Sequence, residues 1–186
     1  MQCLEGGKMI KAWIRVAIFL GLGILLQSKA GYSAVAGYAE AGVKSVRLLG
    51  ENAVFAGGGI GIMTGKRFSV GGRGFVLKDE VAAGQERVSW LNYGGVRVEY
   101  SQPLHRRVNL ALGALFGLVR GEFIRSDGDS TSSGTFIGAA AEPDLSLAIE
   151  FLPRLHLRLE GSYLFLAAGL DLSGGMAGGA TLRWRW

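Results

Sequence analysis

From about residue 42 onward, apolar and polar side chains alternate with a period of two, the signature of strands whose successive side chains point to opposite faces. The clearest stretch is 108–118: Val108, Leu110, Leu112, Ala114, Phe116 and Leu118 share one face, and Asn109, Ala111, Gly113 and Gly117 the other. In 88–100, Val88, Trp90, Val96, Val98 and Tyr100 oppose Ser89, Arg97 and Glu99. Over 145–151, Leu145, Leu147, Ile149 and Phe151 oppose Ser146, Ala148 and Glu150. Over 155–165, Leu155, Leu157, Leu159, Tyr163 and Phe165 oppose His156, Arg158, Glu160 and Ser162. The final stretch sets Ala180, Leu182, Trp184 and Trp186 against Thr181, Arg183 and Arg185. Three earlier stretches are less regular. Glycines dilute 53–63, 67–77 carries Phe68, Val70 and Val76 opposite Arg73, and 42–49 sets Lys44 on the face of Val46 and Leu48. The pattern predicts eight strands.

The connections alternate in character. Residues 64–66, 101–106 and 152–154 are short or proline-containing, whereas 79–87, 124–135 and 169–173 are longer, more polar or glycine-bearing. Only the first connection, 50–52, breaks the contrast by being short. Alternating short and long loops around an even strand count is the plan of a closed, antiparallel, up-and-down transmembrane β-barrel. Eight strands of about ten residues with their connections fit a mature chain of roughly 150 residues. In that plan the termini and the short turns face the periplasm.

Closure is what a bilayer demands of a sheet, because each unpaired backbone N–H or C=O costs several kcal/mol there. Outward side chains can then be apolar and inward ones polar. The inward set contains Arg73, Arg97, Arg158, Arg183 and Arg185 against Glu99, Asp144, Glu150 and Glu160. Single charges would be heavily penalised, so a paired, hydrogen-bonded interior network is expected, with Glu150 and Glu160 sharing Arg158 and the last-strand arginines. A selectivity ring in a porin-like pore is disfavoured, because eight strands enclose a space that side chains fill. Phe68, Tyr100, Phe151, Trp184 and Trp186 lie near the expected periplasmic ends and Trp90 nearer the outer side, as interfacial aromatics would.

Composition sharpens this picture. Of 186 residues, 31 are glycine and 49% are hydrophobic. Glycine at that level, without a three-residue repeat, excludes collagen and fits the crowded inner face of a narrow barrel. Cys3 is the lone cysteine, which excludes an internal disulfide or a cysteine metal site. Residues 16–26 are apolar, with Lys8, Lys11 and Arg15 before them. Eleven residues of helix rise only about 16 Å, too short to cross a bilayer. Residues 1–36 therefore read as a cleaved signal helix ending at Ala34-Val35-Ala36, with Ala30 as the alternative site, and residues 37–186 as the barrel. The leader carries Lys8, Lys11, Arg15 and Lys29 against Glu5, a net +3 of the chain's +5. Its removal leaves no basic surplus to support nucleic-acid binding.

The ending Ala180-Thr181-Leu182-Arg183-Trp184-Arg185-Trp186, preceded by Gly178-Gly179, resembles the C-terminal assembly signal of bacterial outer-membrane barrels, with tryptophan in place of the commoner terminal phenylalanine. With the leader and the strand plan, the chain resembles small eight-stranded barrels of the OmpA/OmpX type. Gly94-Gly95-Val96-Arg97-Val98-Glu99-Tyr100 and Asp171-Leu172-Ser173-Gly174 resemble an uncharacterised group of such proteins. The resemblance spans about residues 40–186. It implies an outer-membrane location, contact with membrane lipid and lipopolysaccharide, and handling by the barrel-assembly machinery through the last strand.

Candidate chemistry is sparse. Gly57-Gly58-Gly59-Ile60-Gly61 does not match a nucleotide-binding loop and reads as a glycine-rich strand. Asp127-Gly128-Asp129 lacks the glutamate a calcium loop needs and reads as a solvated tip. His156, Glu160 and Ser162 lie on one face of one strand, with His156 and Ser162 about 20 Å apart, beyond nucleophile–base reach. No catalytic, cofactor or metal residue is assigned. The expectation is a non-enzymatic outer-membrane barrel with a structural or surface-interaction role. The alternatives are a lipid-modifying enzyme on the same scaffold and a soluble, lipocalin-like periplasmic binder, which would reverse the faces.

Overall fold

A computed structural model describes residues 35–65, 67–127, 130–168 and 174–186. Ten strands are present: β1 (Val35–Leu48), β2 (Glu51–Thr64), β3 (Phe68–Leu77), β4 (Val81–Ala83), β5 (Glu86–His105), β6 (Val108–Asp127), β7 (Ser130–Leu152), β8 (Leu155–Tyr163), β9 (Phe165–Ala167) and β10 (Met176–Arg185). Eight form a closed antiparallel ring in the order β1-β2-β3-β5-β6-β7-β8-β10, with β10 returning to β1. β9 pairs with β7 just past Leu164 and prolongs β8. β4 is a short arm folded onto the start of β5. The eight expected strands are all present, and closure leaves no open sheet edge within the ring.

The ring is sealed where it begins and ends. Gly37 N–H donates to Trp186 O at 3.1 Å, and Trp186 N–H donates to Gly37 O at 3.0 Å. Three tight turns lie at this end, around Gly65, Arg106–Arg107 and Pro153–Arg154. At the opposite end β1 turns into β2 through Leu49 and Gly50, with φ of 53° and 84°. Two consecutive positive φ values match the right-handed twist of the strands they join, so this connection can be as short as two residues.

Several details differ from the alternation-based reading. Most of the expected long loop 124–135 is strand: β6 and β7 stay paired from Val108↔Ile149 to Asp127↔Ser130. Thr131, Ser132, Ser133 and Thr135 are exposed, so both faces of this hairpin are wet and no apolar period marks it. Turn 101–106 likewise tightens to Arg106–Arg107, with β5 running to His105. A bulge lies between Val88 and Trp90. The extra residue moves Val88 to the inner face, together with Arg97 and Glu99, while Trp90 stays outside.

The expected leader, 1–36, lies outside the described residues except for Val35 and Ala36. Those two open β1 and pair with Thr64 and Met63.

Candidate functional site

The interior is divided into two layers along the barrel axis. Toward the loop end it is apolar: Val46, Leu48, Phe55, Phe75, Leu91 and Val119 belong to one buried cluster. Toward the end where β1 begins it is ionic. Val46 and Leu48 point inward together with Lys44, whose shared face made 42–49 irregular. An inward face that is apolar at one height and charged at another obscures which parity is inside.

The ionic layer draws side chains from β1, β3, β5, β7, β8 and β10, and Glu99 on β5 is its hub. Its carboxylate accepts from Arg97 Nη1 at 2.5 Å, Arg158 Nη1 at 2.5 Å, and Arg183 Nη1 and Nη2 at 2.8 and 3.2 Å. Arg97 also donates to Asp144 through Nε and Nη2 at 3.2 and 2.6 Å. Arg73 donates to both oxygens of Glu160, at 2.9 and 2.5 Å, and to Thr181 Oγ1 at 2.9 Å. Arg158 Nη2 donates to Ser146 Oγ at 2.5 Å. Arg183 Nε donates to Glu40 at 2.9 Å, and Arg73 Nε lies 3.1 Å from the same carboxylate. These contacts span the lumen, so the layer ties opposite walls together.

Between the two layers sits Glu142. It accepts from Lys44 Nζ at 2.5 and 2.6 Å, Tyr93 Oη at 3.0 Å and Ser162 Oγ at 2.5 Å. Lys44 Nζ also lies over the Phe75 and Tyr93 rings, at 4.0 and 4.6 Å from their centroids. The ammonium thus has an ionic partner on one side and aromatic faces on the other.

Glycine makes room for these groups. Tyr38 Oη lies over the neighbouring strands β2 and β3, where a Cβ on Gly61 would meet it at 2.6 Å and one on Gly71 at 2.5 Å. A Cβ on Gly113 would stand 2.7 Å from Asp144 Oδ2 and 2.9 Å from Arg97 Nη2.

Of the expected interior set, Arg73, Arg97, Glu99, Asp144, Arg158, Glu160 and Arg183 are brought together in this layer. Glu150 and Arg185 are only partly buried and stand at its edge. The expected sharing of Arg158 by Glu150 and Glu160 does not form: Glu160 takes Arg73 from β3, and Arg158 takes Glu99 from β5. Both of these pairs cross the lumen, whereas Arg183 on β10 also reaches Glu40 on the neighbouring β1. Glu40, Lys44 and Glu142 were not foreseen. Glu40 and Lys44 share the parity of Tyr38 in β1, and Glu142 that of Asp144 in β7, which is the signal that could have found them.

The six aromatics at strand ends, Phe68, Trp90, Tyr100, Phe151, Trp184 and Trp186, are on the outer face. Phe68 packs on Tyr100 with centroids 5.0 Å apart. Trp90 Nε1 donates to Glu122 at 3.1 Å. His156 is buried, and Ser162 is engaged by Glu142. No group of side chains suited to a metal occurs among the described residues. Asp127-Gly128-Asp129 lies largely outside them.

No protein-family model matches the chain, and no curated protein sequence matches it. Solved structures do. The N-terminal β-barrel domain of Pseudomonas aeruginosa OprF aligns with a TM-score of 0.55 at 16% identity, covering 81% of this chain and 97% of that one. Neisserial surface protein A aligns at 0.56 and 18%, covering 83% and 97%. Ail, the attachment invasion locus protein of Yersinia pestis, in complex with the heparin analogue sucrose octasulfate, aligns at 0.53 and 13%, covering 83% and 99%. The fold is that of the small outer-membrane barrels. At these identities the likeness speaks for the ring of eight strands and for nothing finer.

Proposed function

We propose that the chain is exported to an outer membrane, spans it as a monomeric-sized barrel, and acts there without catalysis, as a structural or surface-interaction protein. The observation that carries this reading is the distribution of the side chains. The outer wall exposes Val43, Ile60, Leu118, Ile137, Leu145 and Leu182, while Arg73, Arg97, Glu99, Arg158, Glu160 and Arg183 are buried inside. An apolar band of that extent around a closed ring suits lipid and not water. A soluble binding barrel needs the reverse: polar outside, with an apolar cavity left open within.

A surface role rests on the loop end. There the β6–β7 hairpin runs on past the last pairing of β5 with β6, Glu86↔Arg125, and carries an exposed, hydroxyl-rich arm. Outer-membrane lipid and lipopolysaccharide would surround the wall, and the barrel-assembly machinery would read β10. Cleavage after Ala30 would leave all of β1 in the mature chain, whereas cleavage after Ala36 would remove two of its paired residues.

Cell fractionation with heat-modifiable gel migration tests the reading. The protein should stay with the outer membrane and migrate faster unheated than boiled. A soluble periplasmic product would overturn the proposal. Identical lipid A acyl profiles with and without the protein are expected, and a difference would restore the enzymatic alternative.

A further inference from the structure

The two ends of the barrel differ in charge. At the loop end both signs are interspersed: Arg87 pairs with Glu80 at 3.4 Å, and Arg125 pairs with Glu86. At the other end each of the three tight turns presents arginine: Arg67, Arg106 with Arg107, and Arg154. All four side chains are exposed, and among the described residues none of them forms an ion pair. The one acidic side chain on these turns and the strand ends entering them is Glu150, which is turned inward.

Each basic turn also carries exposed apolar or aromatic surface beside it. Arg67 Nη1 reaches Tyr100 Oη at 3.4 Å, next to the Phe68–Tyr100 pair. Leu104 precedes Arg106, Phe151 and Leu152 precede Arg154, and Trp184 and Trp186 end β10, all exposed on the outer wall. Arginines standing just beyond an aromatic girdle are at the depth of lipid headgroups. A free anion or a soluble acidic partner would not call for the apolar neighbours.

We infer that this arginine rim binds the anionic headgroups of the adjoining lipid leaflet, of the phosphatidylglycerol type, and so selects which lipids surround the barrel on its periplasmic side. The inference rests on the membrane reading proposed above. Guanidinium and phosphate meet in charge-assisted, bidentate hydrogen bonds, and several basic groups at one surface act together.

The test uses tryptophan fluorescence. In the full chain carrying W13F and W90F, Trp184 and Trp186 are the remaining tryptophans, and both belong to this rim. The protein is folded into vesicles whose brominated component is either phosphatidylglycerol or phosphatidylcholine. Brominated phosphatidylglycerol should quench with an apparent preference of at least about threefold, shrinking in molar salt. The preference should vanish in R67Q/R106Q/R107Q/R154Q and survive in the all-lysine counterpart and in R47Q/R87Q/R125Q at the opposite end. Heat-modifiable migration checks that each variant is folded. Equal quenching by both lipids, or a preference retained by the four-glutamine variant, overturns the inference while leaving the membrane reading intact. Absence of quenching by either lipid overturns the membrane reading itself. Sedimentation with purified peptidoglycan sacculi without any lipid preference assigns the rim to another partner and also overturns the inference.

Discussion

Glu99 carries more of the interior than any other single side chain, because three guanidinium groups from three strands converge on its two oxygens. Once buried, such charges are tolerable only while each is paired, and removal of one partner leaves the others desolvated and repelling. Glu99→Gln keeps the shape and loses the charge, so Arg97, Arg158 and Arg183 would face one another across a neutral amide. The expected cost is about 3–5 kcal/mol, read as a lowered urea midpoint of the folded barrel in micelles. Glu150→Gln is the matched control: its side chain is partly exposed and stands outside the network, so less than about 1 kcal/mol is expected. Equal losses in the two variants would mean that the hub is not an energetic centre. Glu99 was legible in the sequence because it alternates with Val98 and Tyr100. Its partners were not, since strand parity assigns a side chain to the lumen without saying which opposite wall it reaches.

At the scale of elements, the strands with one lipid face and one lumen face were the legible ones. For them the difference in polarity between the faces is large and the period is unmistakable. Where that difference fades, so does the signal. The β6–β7 hairpin beyond the ring is wet on both sides, and the loop-end part of the interior is apolar where β1 carries Val46 and Leu48. A bulge is likewise invisible to periodicity, as Val88 shows by sharing the inner face with Arg97 despite opposite parity. Turn chemistry was partly legible. Gly50 lies at φ 84° and faces open space, so the space around it would admit a Cβ while the backbone would not. Gly50→Ala should therefore lower stability by about 1–2 kcal/mol, whereas Gly50→Asn, whose side chain tolerates the left-handed region, should cost much less. Leu49 holds its own positive φ while packing against the buried apolar cluster, which offsets the strain there. The comparison is read from urea midpoints, and an alanine variant as stable as the asparagine one would refute a conformational origin.

For the whole molecule, the question is which solvent the outer wall meets, and the two layers of the interior bear on it. A barrel whose lumen is already filled by an apolar cluster and an ion-pair layer has no space left to bury the outer apolar side chains. They must be covered by something outside the ring. Depth then becomes measurable. Ile60 is 69% exposed on β2, several residues inside the turn at Gly65, between Ala39 on one neighbouring strand and Gly72 on the other. Leu104 is 60% exposed but lies beside the Arg106–Arg107 turn at the rim. Water would treat the two alike, and a new arginine at either position would be a solvated surface charge worth little. Lipid would not: an arginine at mid-depth costs about 2–4 kcal/mol, and one at the interface about 0–1. Ile60→Arg should therefore lower folding yield and urea midpoint in vesicles far more than Leu104→Arg, and the gap should narrow in thinner bilayers, which bring Ile60 nearer the headgroups. Equal tolerance of both substitutions would place the wall in water, and with it the membrane reading would fall.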